Sequence, residues 1–281
     1  MWRLPFVLTC VLAVQTFSSR TLGVRVDVLV MDGGKPVAGL TARDFDLRDN
    51  GVLQRVDVVD AVDVPINVVL ALDTSASIRG RRLTDLIAAG DVILDGLKPV
   101  DRAAVVTFNH AVTPALQLSA DLGGVRAALR AIDPGGRTSV MDGVYVALAS
   151  TTDQAGRFLL VVCTDGSDTT SWLTPSEVLE ASKRTNAVVY AVTAGAGRRS
   201  EPLKDLADET GGQMFQVKSS GDIRSAFRRI LTEFRTRYVL AYSPEGVSPG
   251  GFHRLDIKVP RRRASVKARA GYIGVEPARH P

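Results

Sequence analysis

From Pro65 onward the chain alternates apolar strand-like runs with segments of helical spacing. No other feature restricts its fold as much. Residues 66–72 are apolar except for Asn67, and residues 158–163 are apolar throughout. Runs of this length without polar alternation predict strands buried on both faces, as in a parallel sheet covered by helices. The spacing predicts helices over 83–97, 125–132, 140–150, 175–183, 203–210 and 223–234. Further strands are expected over 103–108, 187–192 and 214–217, with 112–118 as a short partner strand after a turn. Thr174 before Pro175 reads as a cap and first turn, Gly211-Gly212 as a stop, and Asp222 as a cap. The expected fold class is α/β, a doubly wound, mainly parallel sheet.

The flanks have a different texture. Val24, Val26, Val28 and Val30 alternate with Arg25, Asp27 and Leu29, which predicts a strand with one face on a core. Gly33-Gly34 and Asp49-Asn50-Gly51 are hairpin signals. After Arg235 strands are expected again over 238–242, 253–259 and 265–270. The β-rich segments 24–62 and 236–275 are expected to pair into a small module beside an α/β domain over 64–234.

At 45% hydrophobic and 23% charged residues, the chain has enough apolar material for a sizeable core. Its first residues read as an export signal over 1–19. Arg3 is the positive start, 4–14 the apolar stretch, and Thr16, Ser18 and Ser19 the small polar end. That stretch is shorter than the about 20 apolar residues a bilayer span needs. No other run comes close, so no transmembrane helix is expected in a mature chain, whose expected place is periplasmic or extracellular. Without the leader Cys163 is the sole cysteine, and its apolar strand makes it an inert core thiol. The net charge is +5. The excess sits in Arg254, Lys258, Arg261, Arg262, Arg263, Lys267 and Arg269, against Asp256 alone. Lacking interleaved aromatics or a nucleic-acid motif, this stretch reads as a charge-blunted edge strand, and no nucleic-acid partner is expected.

Asp73-Thr74-Ser75-Ala76-Ser77 directly follows the strand over 66–72, and Thr164-Asp165-Gly166-Ser167-Asp168 ends the strand over 158–163. Thr138 closes a third loop, 133–138, just before a helix. Ligands of doubly wound sheets bind outside the carboxyl ends of the strands. The three loops therefore offer Asp73, Ser75, Ser77, Thr138 and Asp165 on one sheet edge. A small hard cation takes about six oxygens. Two carboxylates with three neutral hydroxyls leave such an ion open to an anion from outside. Capping by Ser75 or Ser77 of the helix after Arg79 would explain one loop, not three. Asp142 reads as support for the site or a first-turn acid, and Asp168 as a loop acid. Asn109 and His110 read as turn residues, and Arg137 as a surface arginine within reach of an acidic partner.

The D-T-S-A-S loop, Thr138 in G-G-R-T and Asp165 in T-D-G resemble the metal-ion-dependent adhesion site (MIDAS) of von Willebrand factor type A domains, over about residues 64–234. The resemblance implies a Rossmann-like von Willebrand A fold. It also implies that Ser75, Ser77 and Thr138 hold a metal directly, and that Asp73 and Asp165 do so directly or through water. A partner's Asp or Glu would complete the shell. Mg²⁺ is the ion implied, with Mn²⁺ or Ca²⁺ as alternatives. The segments G-K-P-V-A-G-L-T-A-R-D-F and Y-V-L-A-Y-S-P resemble the flanks of bacterial exported proteins of this type. The expected function is metal-dependent protein binding, with no catalysis. One alternative is a phosphatase of the haloacid dehalogenase type, with Asp73 as nucleophile and Asp165 and Asp168 on Mg²⁺. That chemistry wants an acid two residues after the nucleophile, where this chain has Ser75. The other alternative is a purely structural metal. There is no G-x-S-x-G elbow or G-x-x-x-x-G-K loop, and the three histidines supply no evident base.

Overall fold

The computed structural model describes residues 23–59, 61, 64–151, 155–165, 168–194 and 200–274. The expected leader over 1–19 lies outside them. The chain opens with β1 (Val24–Asp32), β2 (Lys35–Pro36), β3 (Asp46–Asp49), β4 (Val52–Gln54) and β5 (Asp57–Val59). Then come β6 (Ile66–Asp73), α1 (Arg81–Asp95), β7 (Arg102–Phe108), β8 (Val112–Ser119), α2 (Leu122–Arg130) and α3 (Val140–Ala149). They are followed by β9 (Arg157–Thr164), α4 (Pro175–Ser182), β10 (Ala187–Ala194), α5 (Glu201–Glu209), β11 (Gln213–Val217) and α6 (Ile223–Arg235). The last strands are β12 (Tyr238–Tyr242), β13 (Gly251–Lys258), β14 (Ser265–Lys267) and β15 (Gly271–Gly274).

Strands β6 to β11 form one six-stranded sheet in the order β11-β10-β9-β6-β7-β8. Its pairings are parallel except β7 with β8. Every residue of β6 and β9 is buried, because helices cover both faces. Val68, Leu70 and Leu72 pack with Leu86 and Ile93 of α1, Leu129 of α2 and Phe227 and Ile230 of α6. Val69 and Ala71 face the other way, toward Val144 and Leu148 of α3, Val178 of α4 and Leu206 of α5. From β6 the chain passes to β7 on one side and later returns to β9 on the other. The strand order thus reverses between β6 and β9, and a crevice opens at their carboxyl ends. Thr174 caps α4 as its sequence predicts, in a reciprocal box with Glu177.

The flanking strands make two further sheets, β14-β1-β12-β5 with β2 on β1, and β15-β13-β3-β4. They pack together through Val26, Val28, Leu47, Leu240 and Leu255. Asn50 and Gly51 link β3 to β4 with φ of 47° and 83°, the two positive angles of a tight hairpin loop.

Three local expectations are corrected. The basic stretch is an edge strand only in part: β14, with Lys267, lies at the end of its sheet, but β13, with Arg254 and Lys258, lies between β15 and β3. Arg269 of the stretch is half-buried rather than free in solvent. It reaches back to the Asn186 side chain at 2.7 Å and the Lys183 carbonyl at 3.0 Å, and burial lowers its pKa to about 10. Asp222 makes no side-chain cap on α6, since its carboxylate accepts from Ser219 instead. The second face of β1 is not wholly open to solvent, although Arg25 on it is exposed. Leu29 is buried, and Asp27 pairs with Arg157 of the α/β part.

That contact is a buried polar seam. The Arg157 guanidinium is 3% exposed. It donates to Asp27 at 2.7 Å and to the Phe234 carbonyl at 2.9 Å, and lies over the Phe234 ring. Arg237, also buried, donates to the Tyr190 hydroxyl at 2.9 Å and the Gly211 carbonyl at 2.6 Å. Tyr190 in turn donates to Glu233 at 2.8 Å. Among the described residues no helix is long and apolar enough to cross a membrane.

Candidate metal centre

Asp73 ends β6 and Asp165 follows β9, so the two acids flank the crevice where the strand order reverses. The Asp73 carboxylate is fully buried. One oxygen accepts from the Ser75 backbone N–H at 2.8 Å and the other from the Thr164 hydroxyl at 2.5 Å. The Ser75 and Ser77 hydroxyls stand 3.0 Å apart, and Ser77 donates to Asp165 at 2.8 Å. A run of hydrogen bonds therefore links Asp73, Ser75, Ser77 and Asp165, its first step through the Ser75 backbone N–H. Ser75 makes no side-chain cap, and α1 begins after Gly80, so the serine hydroxyls are not used as helix caps.

The loop that carries Thr138 is pinned to the first one. Gly135 N–H donates to the Thr74 carbonyl at 2.8 Å, and Ala76 N–H to the Gly136 carbonyl at 3.1 Å. Arg79 Nε holds the Pro134 carbonyl at 3.0 Å. Gly136 has φ of 75°, and a Cβ there would lie 2.1 Å from Nδ1 of His110. Only glycine permits this turn and this approach. On the other side the Thr138 carbonyl accepts from Thr169 N–H at 2.9 Å and Thr170 N–H at 3.2 Å. The five sequence-selected residues are thus brought onto one edge by directly bonded loops.

The neighbouring residues have structural tasks. Asn109 accepts from Ala111 N–H at 2.9 Å through its side chain, and its carbonyl takes the Ser139 N–H at 2.7 Å. Asp168 accepts from Met141 N–H at the start of α3, at 3.0 Å. Asp142 takes the N–H groups of Trp172 and Leu173, at 3.0 Å each. Arg137 is exposed. Two contributors, and one exposed neighbour that touches none of the five, were not found from the sequence. Thr164 holds the second oxygen of Asp73. Arg82 forms an ion pair with Asp165 and donates to the Ser77 carbonyl at 3.3 Å. Trp172 stands exposed on the loop that grips Thr138. A hydroxyl before an acid at a strand end was a signal for Thr164. A lone tryptophan in the run Thr169-Thr170-Ser171-Trp172 was one for Trp172.

Burial pushes the Asp73 carboxyl above its usual 3.8, despite the Ser75 and Thr164 hydrogen bonds, and repulsion from Asp165 adds to the rise. A cation would relieve both effects. Among the described residues no three His, Cys, Asp or Glu side chains gather as a metal-holding group. The donors here are carboxylates and hydroxyls, the set that suits a hard divalent ion rather than a soft one. Cys163 beneath is no ligand candidate, because burial with Asp73 and Asp165 nearby drives its thiol pKa upward.

Comparison with known proteins follows the same lines. Residues 67–229, more than half of the chain, match the family model of the von Willebrand factor type A domain. The chain is 22% identical over 189 residues to inter-alpha-trypsin inhibitor heavy chain H2 of Mus musculus, covering 62% of this chain and 20% of that protein. The Sus scrofa counterpart is 20% identical over 204 residues, covering 66% and 22%. The match thus spans only about a fifth of the length of these curated relatives. Among solved structures, proximal thread matrix protein 1 from the mussel byssus is similar with a TM-score of 0.55 and 17% identity, over 66% of this chain and 49% of that one. BatB from Bacteroides thetaiotaomicron is similar with a TM-score of 0.51 and 18% identity, over 60% and 98%. A further structure of the byssus protein, at a TM-score of 0.54 and 17% identity over the same shares, has a zinc-occupied MIDAS motif. These likenesses show the fold, and with the family match they establish that the chain belongs to the von Willebrand factor type A domain family.

Proposed function

We propose that this protein is a metal-dependent binding module, with Asp73, Ser75, Ser77, Thr138 and Asp165 as the residues that hold the ion. The observation that carries this reading is the hydrogen-bonded run from Asp73 through the Ser75 backbone N–H and the Ser75 and Ser77 hydroxyls to Asp165, at the point of strand reversal. Mg²⁺ is the ion proposed, since neutral hydroxyls beside two carboxylates suit a hard cation that keeps exchangeable positions. The zinc-occupied motif of the byssus protein supports a divalent ion at the equivalent fold position. When bound, the ion would supply an open Lewis-acidic position for a carboxylate. The chain's own groups orient that position: Thr164 and the Ser75 N–H fix Asp73, the 133–138 loop sets Thr138, and Arg82 stands beside Asp165. The partner proposed is a protein presenting Asp or Glu.

Binding is favoured over catalysis because the chain lacks the second acid of the phosphatase alternative, and of the two described imidazoles only His110 lies near the site. His253 is buried against Asp49 in the β module, and His110 packs on Gly136. Ser75, two residues after Asp73, bonds to Ser77, where the phosphatase alternative needs an acid. Export through the leader over 1–19 belongs to the same proposal. Calorimetric titration with Mg²⁺ tests the reading: wild type should bind one ion, and Asp73→Ala should lose that heat. Equal affinity in the two proteins would remove the site assignment.

A further inference from the structure

Trp172 is 94% exposed, more than any other large apolar side chain among the described residues. Its backbone, by contrast, is held tightly. The Trp172 and Leu173 N–H groups both end on Asp142, Ser171 N–H on Asp168, and Leu173 packs into the core below. An indole displayed on so fixed a backbone has already lost much of the freedom that association would cost it. Aromatic surface of this kind supplies the largest single contributions at protein interfaces. Thr170 N–H bonds to the Thr138 carbonyl, and two residues span at most about 7 Å, so Trp172 stands at the rim of the metal centre. Tyr145, 43% exposed, lies one turn along α3 from Asp142.

The charge around the rim is uneven. Arg137 is exposed next to Thr138, Arg79 holds the loop at Pro134, and Arg82 sits on Asp165. The acids Asp142 and Asp168 are engaged by backbone N–H groups, and Asp133 is the exposed acid of the 133–138 loop. Arginine here favours an acidic ligand.

We propose that Trp172 is the apolar anchor of a face centred on the metal site, and that this face takes an acidic protein segment. One carboxylate of the segment meets the metal. An apolar side chain two or three residues away lies on the indole, and further acids face Arg79 and Arg137. The inference rests on the metal-dependent reading above and gives that reading a ligand chemistry.

The chain has two tryptophans, so Trp2→Phe leaves Trp172 as the sole reporter. The full chain with this change is titrated in Mg²⁺ with the acetylated peptide Glu-Asp-Gly-Leu-Glu, with the same peptide bearing Gln and Asn, and with one bearing Gly for Leu. The acidic peptide should shift the Trp172 emission to shorter wavelength, and the amide peptide should not. Trp172→Ala should weaken the acidic peptide about 30-fold or more in calorimetry, the tenfold-per-1.4 kcal/mol equivalent of a hot spot of about 2 kcal/mol. Its Mg²⁺ affinity should stay at the wild-type value, which also shows that the variant is folded. Unchanged peptide affinity in Trp172→Ala overturns the anchor. Mg²⁺ binding without peptide binding overturns the acidic segment and leaves the metal site standing. Absence of Mg²⁺ binding overturns the metal-dependent reading and this proposal with it. A blue shift with phosphatidylglycerol vesicles but not with the peptide overturns the proposal in favour of a membrane surface.

Discussion

Asp73 is a carboxylate placed where water does not reach it, held by one backbone N–H and one hydroxyl. Asp73→Ala should lower Mg²⁺ affinity by at least about 10–100-fold, with the far-ultraviolet circular dichroism unchanged; calorimetry beside that spectrum decides it. A pH experiment isolates the electrostatic part. The folded-state pKa of Asp73 is above 3.8. Between 3.8 and that raised value the folded chain therefore keeps a proton that the unfolded chain has lost, so this group's contribution to stability grows as pH falls through the window. Above the folded pKa it is a penalty. Asp73→Asn carries no such term. In chelator it should melt above wild type at neutral pH, and the gap should close as pH approaches about 4. A gap independent of pH would show that burial of the charge is not the cause. The oxygens at the strand ends were legible because a fully apolar run announces where its strand stops. Thr164 carried only the signal of a hydroxyl before an acid and Arg82 none, since their contacts depend on which strands lie side by side and where the first turn of α1 overhangs.

The loop over 133–138 owes its position to Gly136. Gly136→Ala would place a methyl 2.1 Å from the His110 ring at a φ of 75°. It should cost about 1–3 kcal/mol in urea unfolding and weaken Mg²⁺ binding through Thr138. Adding His110→Ala should recover the steric share and leave roughly 1 kcal/mol of backbone strain. Full recovery would mean that the φ is not the constraint. At this scale the alternation of apolar and helical segments made the central sheet readable. Asp222 and the β13 part of the basic stretch were misread for a common reason. A capping residue type does not say which neighbour it will bond, and charge on a strand does not say what pairs on either side. The structure puts Ser219 on the first and β15 and β3 beside the second.

The seam between the α/β part and the β module was illegible in the sequence. Asp27 and Arg157 look like solvent-facing charges when each is read alone, being about 130 residues apart. Removing one member of a buried pair leaves the other unpaired, so Asp27→Ala should cost about 3–5 kcal/mol. The double change Asp27→Leu with Arg157→Met should cost less than the single one. Urea unfolding of the three proteins tests both statements, and a loss under 1 kcal/mol in the single variant would show the pair to be solvated. The pairing of β5 with β12 has a consequence in time. Val59 faces Val239 as neighbours in a hairpin would, with the whole six-stranded sheet and its helices strung between them, about 180 residues in all. Closing so long a coil costs about 5 kcal/mol of chain entropy, all of it before the first strand contact can form. Once β6 and α6 are in place, their outer ends stand together and most of that cost has already been met by other contacts. The refolding chain should therefore zip its ends last, as a late kinetic phase that mutations in β5 or β12 leave largely unslowed while they hasten unfolding.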